Sequence, residues 1–349
     1  MLNFLVGFAS VSLDVFLQKF YLRTLPSVDK VGGPADGMTC IVTGPTSGIG
    51  RETAAALVRR KAHVVLACRS VERGAKLQAE LQAEAAALGH PDARVEVEQL
   101  DLASLRSVRA FAERWRRRKA PLHVLVNNAG IFSMGAGRAV TEDGFEAHLG
   151  TNHLGPFLLS LLLLPSMLQT ARQAKGRQPV RVVNVASKMH ELAGGVDVDD
   201  PHFEARGAFS SLAAYNRSKF CQVLFTAELR RRLPGGCGVV AAAVHPGEVM
   251  TDVVRTLPRL LQTAYRVAMR PFCLSPAEGA RSSVFCATSR DPILSEHQAT
   301  EADNCYFGSD CRCAAPSAAA GDATLAAWLW RWSAAAVALP EQYDLVPAS

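Results

Sequence analysis

What this chain lacks narrows its possibilities first. Its nine cysteines are odd in number and show no paired CxxC spacing. Nothing in them reads as a secreted disulfide framework, so reduced thiols are expected. The tightest cluster, Cys305, Cys311 and Cys313, has no second pair to complete a metal-ligand pattern, and no metal is expected. No internal repeat is visible. Long polar tracts are missing too; 49% of the residues are apolar, enough for a substantial core. Charge is scarce in net terms, at +6. The arginine run "ERWRRRKA" sits on a helical pattern and reads as a solvated helix face, so no nucleic-acid partner is expected.

The N-terminus lacks an apolar run of spanning length. "MLNFLVGFASVSL" gives 13 residues before Asp14, against about 20 for a bilayer. Extending the run would place a carboxylate near mid-span, at about 2.5–3.5 kcal/mol. At helical spacing, Asn3, Gly7, Ser10, Asp14 and Gln18 fall in one narrow stripe, and Leu2, Leu5, Phe8, Leu13, Phe16, Leu17 and Phe20 lie outside it. Residues 1–30 therefore form an amphipathic segment able to lie on a membrane or on a protein partner. A helix packed on the chain's own core is the alternative. The positive n-region of a secretory signal is missing, while a cleaved targeting peptide is compatible with the same residues.

Beyond the linker "SVDKVGGPADG", short apolar strands alternate with amphipathic helices. Strands are expected at Met38–Val42, Ala62–Cys68 and Arg94–Leu100, then in "LHVLVNNAG", "VRVVNVAS" and "GVVAAAVHPG". Helices are expected at Ile49–Arg60, Val71–Leu88 and "LASLRSVRAFAERWRRR". This is an α/β class pattern, a Rossmann-type doubly wound parallel sheet of about seven strands with helices on both faces. One domain is expected over 38–300, with a substrate lobe at 250–275 and a C-terminal extension at 301–349.

The first strand enters "IVTGPTSGIG" and leaves into a helix. Gly44, Gly48 and Gly50 would let the backbone bend and approach a pyrophosphate at the helix N-terminus. Glycines serving only a tight connection are the plainer reading of that stretch alone. The second strand lacks the acidic end residue that would bind a ribose 2′-hydroxyl. It ends instead in "LACRS", where Arg69 offers a fork for a 2′-phosphate. Arg51, just past the last glycine, adds a second positive charge. NADP(H) is preferred on this ground, and NAD(H) is the alternative.

Tyr215 and Lys219 stand four apart on a helical pattern, so an ammonium can sit beside a phenol. That cation would lower the phenol pKa from about 10 and make it an acid/base. Ser187 ends the fifth strand, at the sheet edge where a cofactor lies, and can polarise a carbonyl.

With these residues in view, the chain resembles the short-chain dehydrogenase/reductase family. "TGPTSGIG", "LDLAS", "NNAG", "TNHLGPF", "VNVAS", "YNRSK" and "HPGEVMT" come in family order. "VVLACRS", "DLASLRSVRAF" and "NHLGPFLL" point to the subgroup similar to retinol dehydrogenases and the WW-domain oxidoreductase. The resemblance implies roles by position. Ser187, Tyr215 and Lys219 match the catalytic serine, tyrosine and lysine, and Asn152 the asparagine of a proton relay. The glycine turn with Thr46, Ser47 and Ile49 should hold the pyrophosphate. Asp101 and Leu102 should border the adenine, and Asn128, Ala129 and Gly130 the adenosine ribose. Lys219 should also bind the nicotinamide ribose, with Pro246, Gly247, Val249 and Thr251 covering the carboxamide. Pro45 departs from the subgroup pattern and removes one backbone donor.

The resemblance implies an NADP(H)-dependent oxidoreductase (EC 1.1.1.-) acting on a lipophilic alcohol, aldehyde or ketone. It also implies membrane association, at the endoplasmic reticulum or another organelle membrane facing a reducing compartment, and a homodimer as one arrangement. The rival class is a cofactor-binding regulatory protein with little turnover; the intact Asn152, Ser187, Tyr215 and Lys219 set argues against it. The substrate side should involve the loop between Ser187 and Tyr215 and the segment 253–271. There Arg255, Arg259, Arg266 and Arg270 form a basic stripe suited to lipid headgroups or to solvent. "LAAWLWRWSAAAVAL" could anchor at an interface, but Arg331 favours packing as a C-terminal helix.

Overall fold

Every expected strand has one face for each side of a sheet, and the computed structural model shows why. It describes residues 17–19, 21–22, 24–205, 207–250, 262–263, 267–291, 294 and 306–345. The strands are β1 (Thr39–Thr43), β2 (His63–Cys68), β3 (Val95–Gln99), β4 (Val124–Asn127), β5 (Val180–Val185), β6 (Val239–Val244) and β7 (Tyr306–Phe307). They form one parallel sheet in the order β3-β2-β1-β4-β5-β6-β7. The order reverses between β1 and β4, the switch point at which a doubly wound sheet opens a crevice.

The helices are α1 (Gly48–Arg59), α2 (Val71–Ala87), α3 (Leu105–Arg118), α4 (Ala147–Ala174), α5 (Ser211–Arg232), α6 (Pro276–Thr288) and α7 (Ala323–Ala336). Alternate strand residues feed two cores. Ile41, Val65, Leu125, Val182 and Ala241 point to the side of α3, α4, α5 and α7. Their neighbours Cys40, Val42, Val64, Leu66, Val124, Val126, Val183 and Val244 pack with residues of α1, α2 and α6. Both faces are covered, so the strands can be apolar throughout.

By length and composition α4 could cross a membrane, with a mean hydropathy of 1.5. However, 72% of its apolar window is buried within the protein, and Phe157, Leu161, Leu164 and Met167 are core residues. α7 likewise packs: Trp330 is buried between Phe157 and Phe225, and its Nε1 donates to Asp344 at 2.7 Å. The arginine run of α3 is engaged by carboxylates, Arg116 and Arg117 by Glu113 and Arg118 by Glu96 and Glu98.

One strand falls outside the expected set. β7 comes from the segment assigned to the C-terminal extension, so the sheet continues past residue 300. Its two residues are too few to carry an alternating pattern. The basic stripe of 253–271 lies mostly outside the described residues, and residues 1–16 lie wholly outside them.

Candidate active site

The cleft at the β1/β4 switch point begins with the turn after β1. Gly44 and Gly48 have φ of +61° and +57°, conformations that L side chains rarely adopt. A Cβ on Gly50 would lie 2.4 Å from both Asn128 Nδ2 and Gly44 O. The turn is thus held tightly against β4. Asn128 Nδ2 donates to Thr43 O at 3.0 Å and Gly44 O at 3.2 Å, and Thr43 Oγ1 accepts from Asn128 N and Ala129 N, each at 3.0 Å. No side chain caps α1. Its N-terminus therefore presents backbone donors and the positive end of its dipole beside the cleft. Thr46, Ser47, Gly48, Ile49 and Gly50 line that cleft. Pro45 is buried and does not line it, so the donor it lacks falls outside the wall.

Arg69 lines the cleft with Leu100, Asp101 and Leu102. Arg51 is a correction. Its guanidinium is turned onto Glu52 at 2.9 Å, Glu84 at 3.3 Å and Glu80 at 3.4 Å, and it is not part of the wall. α2 presents Glu80 and Glu84 one turn apart on the side facing α1, and those charges hold the arginine away from the cleft. Arg73 lines the cleft along with Arg69.

Four elements bring the catalytic candidates together. β5 ends at Ser187's doorstep, and α5 supplies Tyr215 and Lys219 one turn apart. A hydrogen bond links Ser187 and Tyr215. Lys219 Nζ lies 5.8 Å from the Tyr215 ring centroid and donates to Val185 O at 2.8 Å and Gln222 Oε1 at 3.0 Å. Asn152 lies in a π-helical stretch of α4, Gly150–Leu154, of a kind frequent at functional sites. Its Nδ2 donates to Ile131 O at 3.0 Å and Ser218 Oγ at 2.9 Å, and its Oδ1 accepts from Ile131 N at 2.7 Å. Asn152 is fully buried, behind the lining rather than in it. A Cβ on Gly130 would lie 3.2 Å from Asn152 Oδ1 and 3.4 Å from Lys219 Nζ, so the Gly130 backbone sits close against both side chains.

Burial sets the electrostatics. It pushes the Lys219 ammonium down to about 7. The Tyr215 phenol is pushed up, first by burial and then by the charge of Glu248, against the pull of the Ser187 hydrogen bond. The phenol is thus raised in the protein on its own, where lowering by its lysine was expected, because desolvation outweighs the groups around it.

Three further residues carried no sequence signal. Phe132 lines the cleft and stacks on Tyr215, centroids 4.4 Å apart at 22°. Gln222 holds Lys219. His190 is buried; its Nε2 accepts from Ser317 N at 3.1 Å, so its Nδ1 carries the proton and donates to Ser187 O at 2.7 Å. Pro246 lines the cleft, while Gly247 (φ +85°) and buried Val249 are not part of its wall. Thr251 lies outside the described residues. The described residues hold no group of three or more His, Cys, Asp or Glu able to bind a metal ion.

Residues 38–197 match the family model described as short chain dehydrogenase. Dehydrogenase/reductase SDR family member FEY of Arabidopsis thaliana is 41% identical over 340 residues, covering 96% of this chain and 87% of that protein. Retinol dehydrogenase 12 of Mus musculus is 39% identical, covering 93% of this chain and 96% of that protein. Among solved structures, an uncharacterized protein from Mycobacterium Paratuberculosis superposes with a TM-score of 0.65 at 31% identity, over 90% of this chain and 98% of that one.

Proposed function

The chain belongs to the short-chain dehydrogenase family, and from that premise we propose that it is an NADP(H)-dependent oxidoreductase of lipophilic carbonyl compounds and their alcohols. The observation that carries the proposal is convergence. One cleft is lined by the glycine turn, by Arg69 and Arg73 at one end and by Tyr215 and Lys219 at the other.

The residues fit a dinucleotide because the uncapped N-terminus of α1 offers backbone donors beside a cleft lined by Thr46 to Gly50. Gly44 to Gly50 would hold the pyrophosphate, Asp101 and Leu102 the adenine, and Asn128 to Gly130 the adenosine ribose. Arg69, joined by Arg73, would take the 2′-phosphate through charge-assisted hydrogen bonds. When bound, NADP(H) supplies or accepts the hydride. Tyr215 exchanges a proton with the substrate oxygen, and Ser187 orients that oxygen. Lys219 sits beside the phenol and would bind the nicotinamide ribose. Asn152 ties the Ile131 backbone to α5, where a relay to solvent would start. A raised phenol pKa keeps Tyr215 protonated at neutral pH, which suits the acid role in carbonyl reduction.

The retinol dehydrogenase named among the relatives supports a retinoid-like or other lipid aldehyde as substrate. Phe132 supports the same reading, since its ring gives the wall above Tyr215 an apolar face. Membrane association, at the endoplasmic reticulum or another organelle, is supported by the exposed Leu17 and Tyr21 of the N-terminal segment and by exposed Val267. NADPH oxidation followed across a panel of retinoid, polyprenoid, steroid and short-chain carbonyls tests the proposal. Turnover is expected with the lipophilic members; no turnover with any of them would contradict it.

A further inference from the structure

Gln18 belongs to the polar stripe of the N-terminal segment, yet it is buried: its exposure is 0%. Its carboxamide does not meet another side chain. Oε1 accepts from Glu248 N at 2.9 Å, while Nε2 donates to Glu248 O at 3.1 Å and to Phe272 O at 2.9 Å. Both backbone groups of Glu248 are thereby satisfied by one side chain, as a neighbouring strand would satisfy them. The segments it joins already form a fragment of parallel ladder. Val249 pairs with Leu274, Leu274 N donates to Glu248 O at 2.8 Å, and Met250 N donates to Leu274 O at 2.9 Å. Gln18 closes the open edge of that ladder.

One turn further along, Leu22 completes the support. It is buried with Val249 and Leu274, and Ile49 of the glycine-rich turn packs against the same cluster. The clamp also sets the backbone above it, because a Cβ on Gly247 would fall 2.9 Å from Gln18 Oε1 and 2.5 Å from Leu274 Cδ1. Leu17 and Tyr21, on the other side of the same helix, remain exposed.

We propose that Gln18 is a positioning residue for the cofactor cleft: the N-terminal helix, through Gln18 and Leu22, holds the Pro246–Met250 loop in the conformation that covers the nicotinamide. The inference rests on the proposed dinucleotide function of that loop. It also gives the N-terminal segment a task within the fold besides any contact made by its exposed side. Loss of the carboxamide removes its hydrogen bonds to the Glu248 and Phe272 backbone, which loosens the loop without emptying the core.

The test compares the full-length wild type with Gln18→Met, which keeps the side chain's length and bulk, and Gln18→Glu, which keeps only the acceptor. NADPH binding is titrated by fluorescence, and amide hydrogen exchange is followed at Met250 and Leu274. Both variants should bind NADPH about tenfold more weakly, with Met250 and Leu274 exchanging faster and the amides of β1, β4 and β5 unchanged. Equal affinity with unchanged exchange in Gln18→Met overturns this inference and leaves the oxidoreductase reading standing. A wild type that binds neither NADPH nor NADH overturns both.

Discussion

Arg69 stands on the cleft wall at the end of β2, and no carboxylate contends for it among the ion pairs of the described residues. Arg51, one helix away, is held by three. On that contrast the proposed NADP(H) preference would rest on Arg69 with Arg73. Arg69→Asp should weaken NADPH binding by about tenfold relative to NADH, because it removes a phosphate partner and introduces a like charge. Parallel titrations with the two dinucleotides would check this, and an unchanged ratio would remove the argument. Tyr215, Lys219, Ser187 and Asn152 were legible because each sits in a short motif whose order along the chain is itself informative. Arg73, Phe132, His190, Gln222 and Gln18 were not. Each acts through a partner that only the folded chain brings near, as with His190 and Ser317 or Gln18 and Glu248.

At the scale of elements, the C-terminal helix α7 is a core element. Trp330 is 2% exposed, packs edge-on to Phe157 at 5.2 Å and lies under the Arg232 guanidinium at 4.6 Å. Trp330→Ala should cost about 3–5 kcal/mol of stability, measured by urea unfolding. A loss near zero would mean that α7 is only loosely attached. The six expected strands and the helices α1, α2 and α3 were legible to within about three residues at each end, since apolar runs and helical periodicity are local signals, whereas α4 and α6 were not marked out in the sequence. β7 was not, because pairing with β6 defines it rather than any pattern in "YF". The π-helical turn at Asn152 was likewise hidden in a motif that reads as plain helix.

The whole molecule carries buried neutral imidazoles that couple its stability to pH. Burial pushes His190 down to about 4 and His153 to about 3, from an ordinary value of 6.5. Both are depressed in the fold, so their contribution is complete above pH 6.5 and is lost as the pH falls from there toward 4 and 3. The full loss is on the order of a few kcal/mol for each, larger for His153. Urea unfolding at pH 7.5 and pH 5 should show a clear fall in stability at the lower pH, and His190→Gln should reduce that fall. A pH-independent midpoint would contradict the assignment. At this scale the division into a doubly wound sheet was legible from alternation alone. The course of the N-terminal segment was not, because an amphipathic helix does not declare which face it buries.

The central claim is that Tyr215 works as the acid/base of a dinucleotide-dependent oxidoreductase. The direct measurement is NADPH affinity and turnover in wild type and Tyr215→Phe, with a lipophilic aldehyde that the wild type reduces. The account predicts a nearly unchanged NADPH dissociation constant and a turnover about 10²- to 10⁴-fold lower in the variant. Equal turnover in the two proteins would contradict it.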